Sequence, residues 1–162
     1  MSSFAWNCRG LRSSLAICNL ANAVKEKDSM LVFLSKTKVG VGRIKGIQNK
    51  LNFTQGIVVP SDGRSRGLAL IWKEGIEVCL KSCSHSHIDV VVRDGLMQNP
   101  WRATSFYDHP DASKWHTSWQ LLEALKNQCT MPWIVFGDFN EITHQHEKLG
   151  WKERELQQME GF

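Results

Sequence analysis

Short apolar runs of strand length alternate along this chain with longer segments in which apolar residues return every three or four positions. FAWNC (4–8) reads as a short strand. Residues 14–27 place Leu15, Leu20, Ala23 and Val24 near helical spacing and end in the charged KEKD. MLVFL (30–34) has no polar position, which predicts a buried strand. Ile44, Ile47 and Leu51 follow an i, i+3, i+7 pattern and predict a short amphipathic helix over 42–51. Strands are then expected at 53–59, 68–72, 76–82, 88–93 and 101–106, separated by Gly, Ser, Asp and Pro. DASKWHTSWQLLEALKNQ (111–128) carries the strongest helical pattern: Asp111 or Ser113 is placed to cap it, and Trp115, Trp119, Leu122 and Leu125 share one face. MPWIVFG (131–137) is a further buried strand, and KERELQQMEGF (152–162) opens a last helix.

Strand and helix, then a run of strands, then helix and strand, make an α/β layered domain with a mixed sheet rather than a regular βαβ repeat. Neither a repeat nor a linker interrupts the pattern, so residues 1–162 read as a single domain.

Composition narrows the class. With 162 residues, 42% of them hydrophobic and 22% charged, the chain has the makings of a globular domain with a sizeable core. No apolar run approaches the roughly 20 residues that span a bilayer. The N-terminus, MSSFAWNCRG, lacks the basic and apolar regions of a secretory signal. Five cysteines form no CxxC pair and are odd in number, which fits reduced thiols and an intracellular location, nuclear or cytoplasmic. The net charge of +4 is compatible with a nucleic-acid partner and does not establish one. Lys36, Lys38, Arg43, Lys45, Lys50, Arg64, Arg66 and Lys73 gather in the central third, as a solvated face or as a binding stripe.

Several patterns invite a chemical reading. VGVGRIKG carries Gly40, Gly42 and Gly46, with Asp62 at a suitable distance for a dinucleotide fingerprint. The tight strand-to-helix turn that such a site needs is missing, so a flexible loop is the better account. His85 with His87, and His144 with His146, stand two apart, but no Cys pair completes a zinc set, and surface or loop histidines are expected. Trp115 and Trp119 suit packing better than base stacking. The sharper signal is MPWIVFGDFNEI, where a buried strand ends in Gly137 and then sets Asp138 and Asn140 two positions apart. A carboxylate there binds a hard cation or orients a water, and a carboxamide donates to a phosphate oxygen. An Asx turn closing the strand is the alternative. Asn7 ends the first strand in WNCRG, and Tyr107 ends another in SFYDHP, so three strand ends carry groups able to hold phosphate or metal.

WNCRG, LVFLSKTK, GLALIW, HSHIDV, SFYDHPDASKWHTSW, PWIVFGDFNEI and a final EK-G-K-R-QM-GF pattern, taken in order, resemble the endonuclease domain of plant LINE-type (non-LTR) retrotransposons. That domain belongs to the endonuclease/exonuclease/phosphatase superfamily, together with apurinic-site endonucleases and DNase I. The resemblance implies a four-layer α/β sandwich of the DNase I type. It implies phosphodiester hydrolysis with Mg²⁺ or Mn²⁺, and DNA as substrate through its phosphate backbone, with no membrane partner. Asn7 matches the first metal-site asparagine, Tyr107 the tyrosine beside the scissile phosphate, Asp138 the aspartate that orients or deprotonates the attacking water, and Asn140 the asparagine that holds the phosphate.

Two departures accompany the match. The family sets a metal-ligating Glu before Thr-Lys, whereas FLSKTK places Lys36 there. Exchanging a ligand carboxylate for an ammonium beside a dication costs several kcal/mol, by order of magnitude, at an effective dielectric near 20. Lys36 instead can pair with Asp138 or with a phosphate, keeping binding and losing hydrolysis. The family's closing Ser-Asp-His element has no counterpart, since His109, His116, His144 and His146 all lie in other contexts. The expectation is therefore a C-terminally truncated domain with an incomplete second sheet, weak or inactive as an enzyme and open to a protein partner over the uncovered face. The alternative is a catalytically inactive scaffold that binds nucleic acid or protein. Phosphatase action on inositol phosphates or lipids is a further possibility within the superfamily.

Overall fold

The structure, a computed structural model, describes residues 2–61, 67–95, 99–108 and 115–139. Among them lie, in chain order, β1 (Ser3–Asn7), α1 (Ser14–Glu26), β2 (Leu31–Ser35), α2 (Val41–Lys50), β3 (Gln55–Val59), β4 (Leu68–Trp72), β5 (Ile76–Cys83), β6 (His87–Asp94), β7 (Trp101–Tyr107), α3 (Trp115–Lys126) and β8 (Trp133–Asp138). The helix expected over 152–162 and the caps Asp111 and Ser113 lie outside the described residues.

The strands form two sheets, ordered β1-β2-β4-β3 and β5-β6-β7-β8. Each is mixed: β1 with β2 and β7 with β8 run parallel, and the remaining pairs are antiparallel. The apolar runs at 31–35 and 68–72 become the central strands β2 and β4, whose ten residues are all buried. Successive side chains of a strand point to opposite faces, so each central strand serves two cores. Val32, Leu34, Ala69 and Ile71 pack against Leu20, Val24, Ile44 and Ile47 of α1 and α2. Leu31, Phe33, Leu68, Leu70 and Trp72 face Ile88, Val90, Val92 and Ala103 of the other sheet. On that sheet's outer side, Arg102 of β7 donates through Nη1 to the Leu125 carbonyl of α3 at 2.5 Å. The layers therefore run helices, sheet, sheet, helix.

Ser13 caps α1 by accepting from the Ala16 N–H at 3.1 Å. The helix buries Ile17, Leu20 and Val24. Leu15, expected on the apolar face, is 70% exposed. At 100° per residue it lies off the stripe that Ile17, Leu20 and Val24 define, and α1 packs on that stripe.

Candidate active site at the strand ends

The two parallel strand pairs, one in each sheet, set the geometry. Asn7 lies opposite Ser35 at the carboxyl ends of β1 and β2, and Tyr107 lies opposite Asp138 at the carboxyl ends of β7 and β8. The sheets bring these ends together. Asn7 donates through Nδ2 to Asp138 Oδ2 at 2.5 Å. Lys36, the first residue past β2, sets Nζ 5.2 Å from the centroid of the Tyr107 ring, within reach of a cation–π interaction. Deeper in, Phe33 of β2 meets Phe136 of β8 edge-on, with centroids 6.1 Å apart.

Local backbone geometry makes the arrangement possible. Asn7 Oδ1 accepts from the Arg9 N–H at 3.3 Å, an Asx turn that steers the chain away from the strand end. Arg9, Lys36 and Lys38 hold left-handed φ values of 49°, 53° and 54°, each costing an L-residue about 1–2 kcal/mol. Neighbouring bonds offset that cost. Cys8 donates to Ser35, Leu11 to Thr37 and Thr37 to Gly67 through backbone groups at 2.9, 2.9 and 3.1 Å. Gly67, with φ +90°, is required here, because a Cβ would overlap the Thr37 hydroxyl. At Gly137, with φ +148°, a Cβ would overlap the Phe106 carbonyl oxygen. This glycine lets β8 lie close on β7 and so places Asp138.

The second sheet anchors its side of the site through backbone bonds. The Tyr107 N–H donates to Ser86 and the Asp108 N–H to the Asp138 carbonyl, at 2.8 and 2.9 Å. Tyr107 is buried, and Asn7, Lys36 and Asp138 are half-buried. Beside them, burial pushes the Cys8 thiol up to about 12, with a smaller opposing effect from a backbone hydrogen bond. The thiol is therefore neutral at physiological pH and is no nucleophile.

The structure thus brings Asn7, Tyr107, Asp138 and Lys36 together, while Asn140, His109, His144 and His146 lie outside the described residues. His116 is exposed on α3 and hydrogen-bonds Gln120 at 2.9 Å. His85 is exposed, as expected, but His87 is not a surface residue. It is 5% exposed at the start of β6, with Nδ1 2.8 Å from Ser84 Oγ and Nε2 2.9 Å from Ser82 Oγ. Burial holds its ring below the ordinary imidazole range; Asp89 opposes that effect and Arg102 adds to it. The turn it organises supplies the Ser86 carbonyl that holds Tyr107. Asp108, unassigned in the sequence reading although it stands in the SFYDHP motif, is buried and accepts from Ser118 of α3 at 2.5 Å. Gly42 and Gly46 lie inside α2, Gly40 caps it, and no atom approaches a Cβ built at any of the three. A phosphate-cradling turn is therefore not what these glycines form.

A hard dication seeks several oxygen ligands, carboxylates foremost. Among the described residues no three or more His, Cys, Asp or Glu side chains gather in a metal-binding group. At the strand ends the Asp138 carboxylate, already accepting from Asn7, shares the site with an ammonium that has no lone pair to give, and the Asp108 carboxylate is turned to Ser118 of α3. The described donor set does not fit a resident Mg²⁺.

Comparison with known proteins bears on the fold. The endonuclease domain of TRAS1, a telomere-specific non-LTR retrotransposon, is similar over 97% of this chain and 66% of its own, with a TM-score of 0.62 and 17% identity. The human nocturnin catalytic domain is similar over 85% of this chain and 62% of its own, with a TM-score of 0.61 and 14% identity. An AP endonuclease from Archaeoglobus fulgidus is similar over 85% of this chain and 56% of its own, with a TM-score of 0.59 and 19% identity. The chain thus spans less than two thirds of the length of these structures. No curated protein matches its sequence significantly. Identities this low establish the DNase I-like fold alone. The sequence itself matches the model of the Endonuclease/Exonuclease/phosphatase family over residues 4–158, and the chain belongs to that family.

Proposed function

We propose that the strand-end cluster binds a phosphodiester of a nucleic-acid backbone, on a nuclease fold in which Lys36 has weakened or abolished metal-dependent hydrolysis. The observation that carries this reading is the Lys36 ammonium held over the Tyr107 ring beside the Asn7–Asp138 pair. An ammonium there supplies three donors and a full positive charge to a non-bridging phosphate oxygen. The Tyr107 hydroxyl and the Asn7 carboxamide are further groups able to meet the diester. Asp138 keeps Asn7 oriented and accepts from a water. A divalent metal, where the family uses one, supplies Lewis-acid stabilisation of the departing oxygen. One ammonium provides less than that, and losing one member of a cooperating set costs orders of magnitude in rate. Family membership and the fold shared with a retrotransposon endonuclease support nucleic acid as the substrate class.

The test pairs plasmid nicking in Mg²⁺ or Mn²⁺ with binding of a fluorescent duplex in EDTA, for the native chain, Lys36→Glu and Asp138→Ala. The native chain is expected to bind DNA in EDTA and to leave the plasmid intact. Metal-dependent nicking by the native chain that Asp138→Ala abolishes would show an active nuclease and overturn the impairment. Absence of DNA binding would overturn the substrate class.

A further inference from the structure

β3 and β5 are the edge strands that the two sheets turn away from β1 and β8, and they are built differently. β5 carries Glu77, Lys81 and a register shift between Leu80 and Ser82; charges and bulges of this kind discourage a further strand from pairing. β3 has none of them. Gln55–Val59 holds no charged residue, pairs with β4 at five consecutive positions without a shift, and meets no strand on its outer side among the described residues. Alternate residues of such an edge turn their N–H and C=O outward, free to pair with an added strand.

A cavity of about 490 Å³ opens beside β3, with Lys45, Gln48 and Asn49 of α2 and Thr54, Gly56 and Trp72 in its lining. Gln55 pairs with Trp72 and Trp72 with Leu31, so the cavity lies where β2 begins, at the end of the sheet opposite Asn7 and Lys36. Gln48 is 8% exposed, and its carboxamide makes no hydrogen bond among the described residues. A buried polar group without a partner is costly and calls for an explanation. A Cβ at Gly56 would overlap Gln48 Nε2 and crowd Ile71, so the carboxamide lies over this glycine on the helix side of the sheet. On an added strand, the residue opposite Gly56 sends its side chain to this same face. Gly56 has no side chain to fill the space, so the incoming one reaches Gln48. Around that point the lining holds one cation, the exposed Lys45, and no carboxylate among the described residues.

We propose that β3 accepts an extended segment of a partner protein as an added strand, with an Asp or Glu side chain of that segment seated over Gly56 against Gln48 and Lys45. Backbone pairing supplies the hold, and the seated side chain supplies the selectivity. The Gln48 carboxamide donates to the carboxylate in a charge-assisted bond, and the Lys45 ammonium adds attraction. A second copy of this chain fits less well, because the strand it presents, QGIVV, has no charged side chain to offer.

The experiment follows the backbone amides and side-chain NH₂ groups of the ¹⁵N-labelled full chain by NMR. The probes are the end-blocked peptide Thr-Val-Glu-Val-Thr and its charge-reversed counterpart Thr-Val-Lys-Val-Thr. The Glu peptide is expected to shift the amides of residues 55–59 and the Gln48 NH₂, and the Lys peptide to bind about tenfold more weakly or less. Gln48→Ala should weaken the Glu peptide about tenfold, and Lys45→Gln about 2–5-fold at low salt. Should Gln48→Ala melt early, the exposed Lys45→Gln carries the test. Absence of any shift at millimolar Glu peptide, equal binding of the two peptides, or native affinity in both variants would overturn the proposal. Shifts at 55–59 that grow with protein concentration alone, with a dimer in sedimentation, would assign the edge to a second copy and overturn it as well.

Discussion

The amide of Asn7 donates to the carboxylate of Asp138 across 131 residues of chain, joining the end of an edge strand in one sheet to the end of an edge strand in the other. A hydrogen bond to a charged group contributes about 1.5–3 kcal/mol, less where water reaches it. Asn7→Ala should therefore lower stability by about 1–2 kcal/mol in urea titration. Asn7→Asp should cost more, because it sets two carboxylates against each other. Equal stability of all three chains would mean that the sheets hold these ends together unaided.

Gly137→Ala should be among the most damaging single-atom changes in the described fold. The new Cβ overlaps the Phe106 carbonyl oxygen, a backbone atom that cannot turn away. The strain of φ +148° adds to the clash. A loss of about 3 kcal/mol or more is expected, together with weakened DNA binding as β8 lifts and moves Asp138. A near-native denaturation midpoint would contradict the tight β7–β8 approach.

On the outer face of the second sheet, Arg102 and Asp89 form a buried pair, 3% and 0% exposed. Arg102 donates through Nε and Nη2 to the Asp89 carboxylate at 2.8–3.1 Å, and Thr104 adds a bond at 2.6 Å. Arg102→Met strands a buried carboxylate and should cost about 3–5 kcal/mol. The double variant Arg102→Met/Asp89→Leu should regain much of that loss, because the desolvated charge is gone as well. Chemical denaturation of both variants measures the difference.

His87 predicts a pH dependence of defined sign. Its folded pKa lies below the ordinary 6.5 through burial. The unfolded chain therefore binds the extra proton first as pH falls, and stability rises with pH wherever that holds. This contribution is complete above about 6.5 and is lost as pH drops from there through the lowered folded value. Urea midpoints between pH 7.5 and 5 should fall more steeply for the native chain than for His87→Asn. Parallel curves would assign the acid sensitivity to other groups.

Lys36 predicts a metal response without any assay of turnover. The native chain should show little change in Tm with Mn²⁺, whereas Lys36→Glu places a second carboxylate near Asp138 and should gain a metal-dependent rise. At ten times Kd the stabilisation is roughly 1.4 kcal/mol, about 3–5 °C for a chain of this size. A native chain stabilised as strongly as the variant would remove the conflict between Lys36 and a resident cation.

The elements of this fold are largely written in local pattern. The apolar runs at 31–34 and 68–72 have no polar face to offer water, and both became central strands. The spacing of Ile44 and Ile47 marks the buried side of α2. Residue chemistry also pointed to Asn7, Tyr107 and Asp138, since polar groups at strand ends lie where a sheet meets solvent. Leu15 shows the limit of such reasoning: helical spacing admits more than one stripe, and only the sheet beneath α1 selects which is buried.

What sequence pattern could not reach is the meeting of distant ends. Side-chain alternation and helical periodicity are properties of a few consecutive residues. The approach of Asn7 to Asp138, of Lys36 to Tyr107, and the enclosure of His87 between two serines depend on strand order and inter-sheet packing. Those are set by contacts far apart in the chain. Local rules select the pieces; packing of β2 and β4 between two cores decides where their ends, and therefore their charges, come to rest.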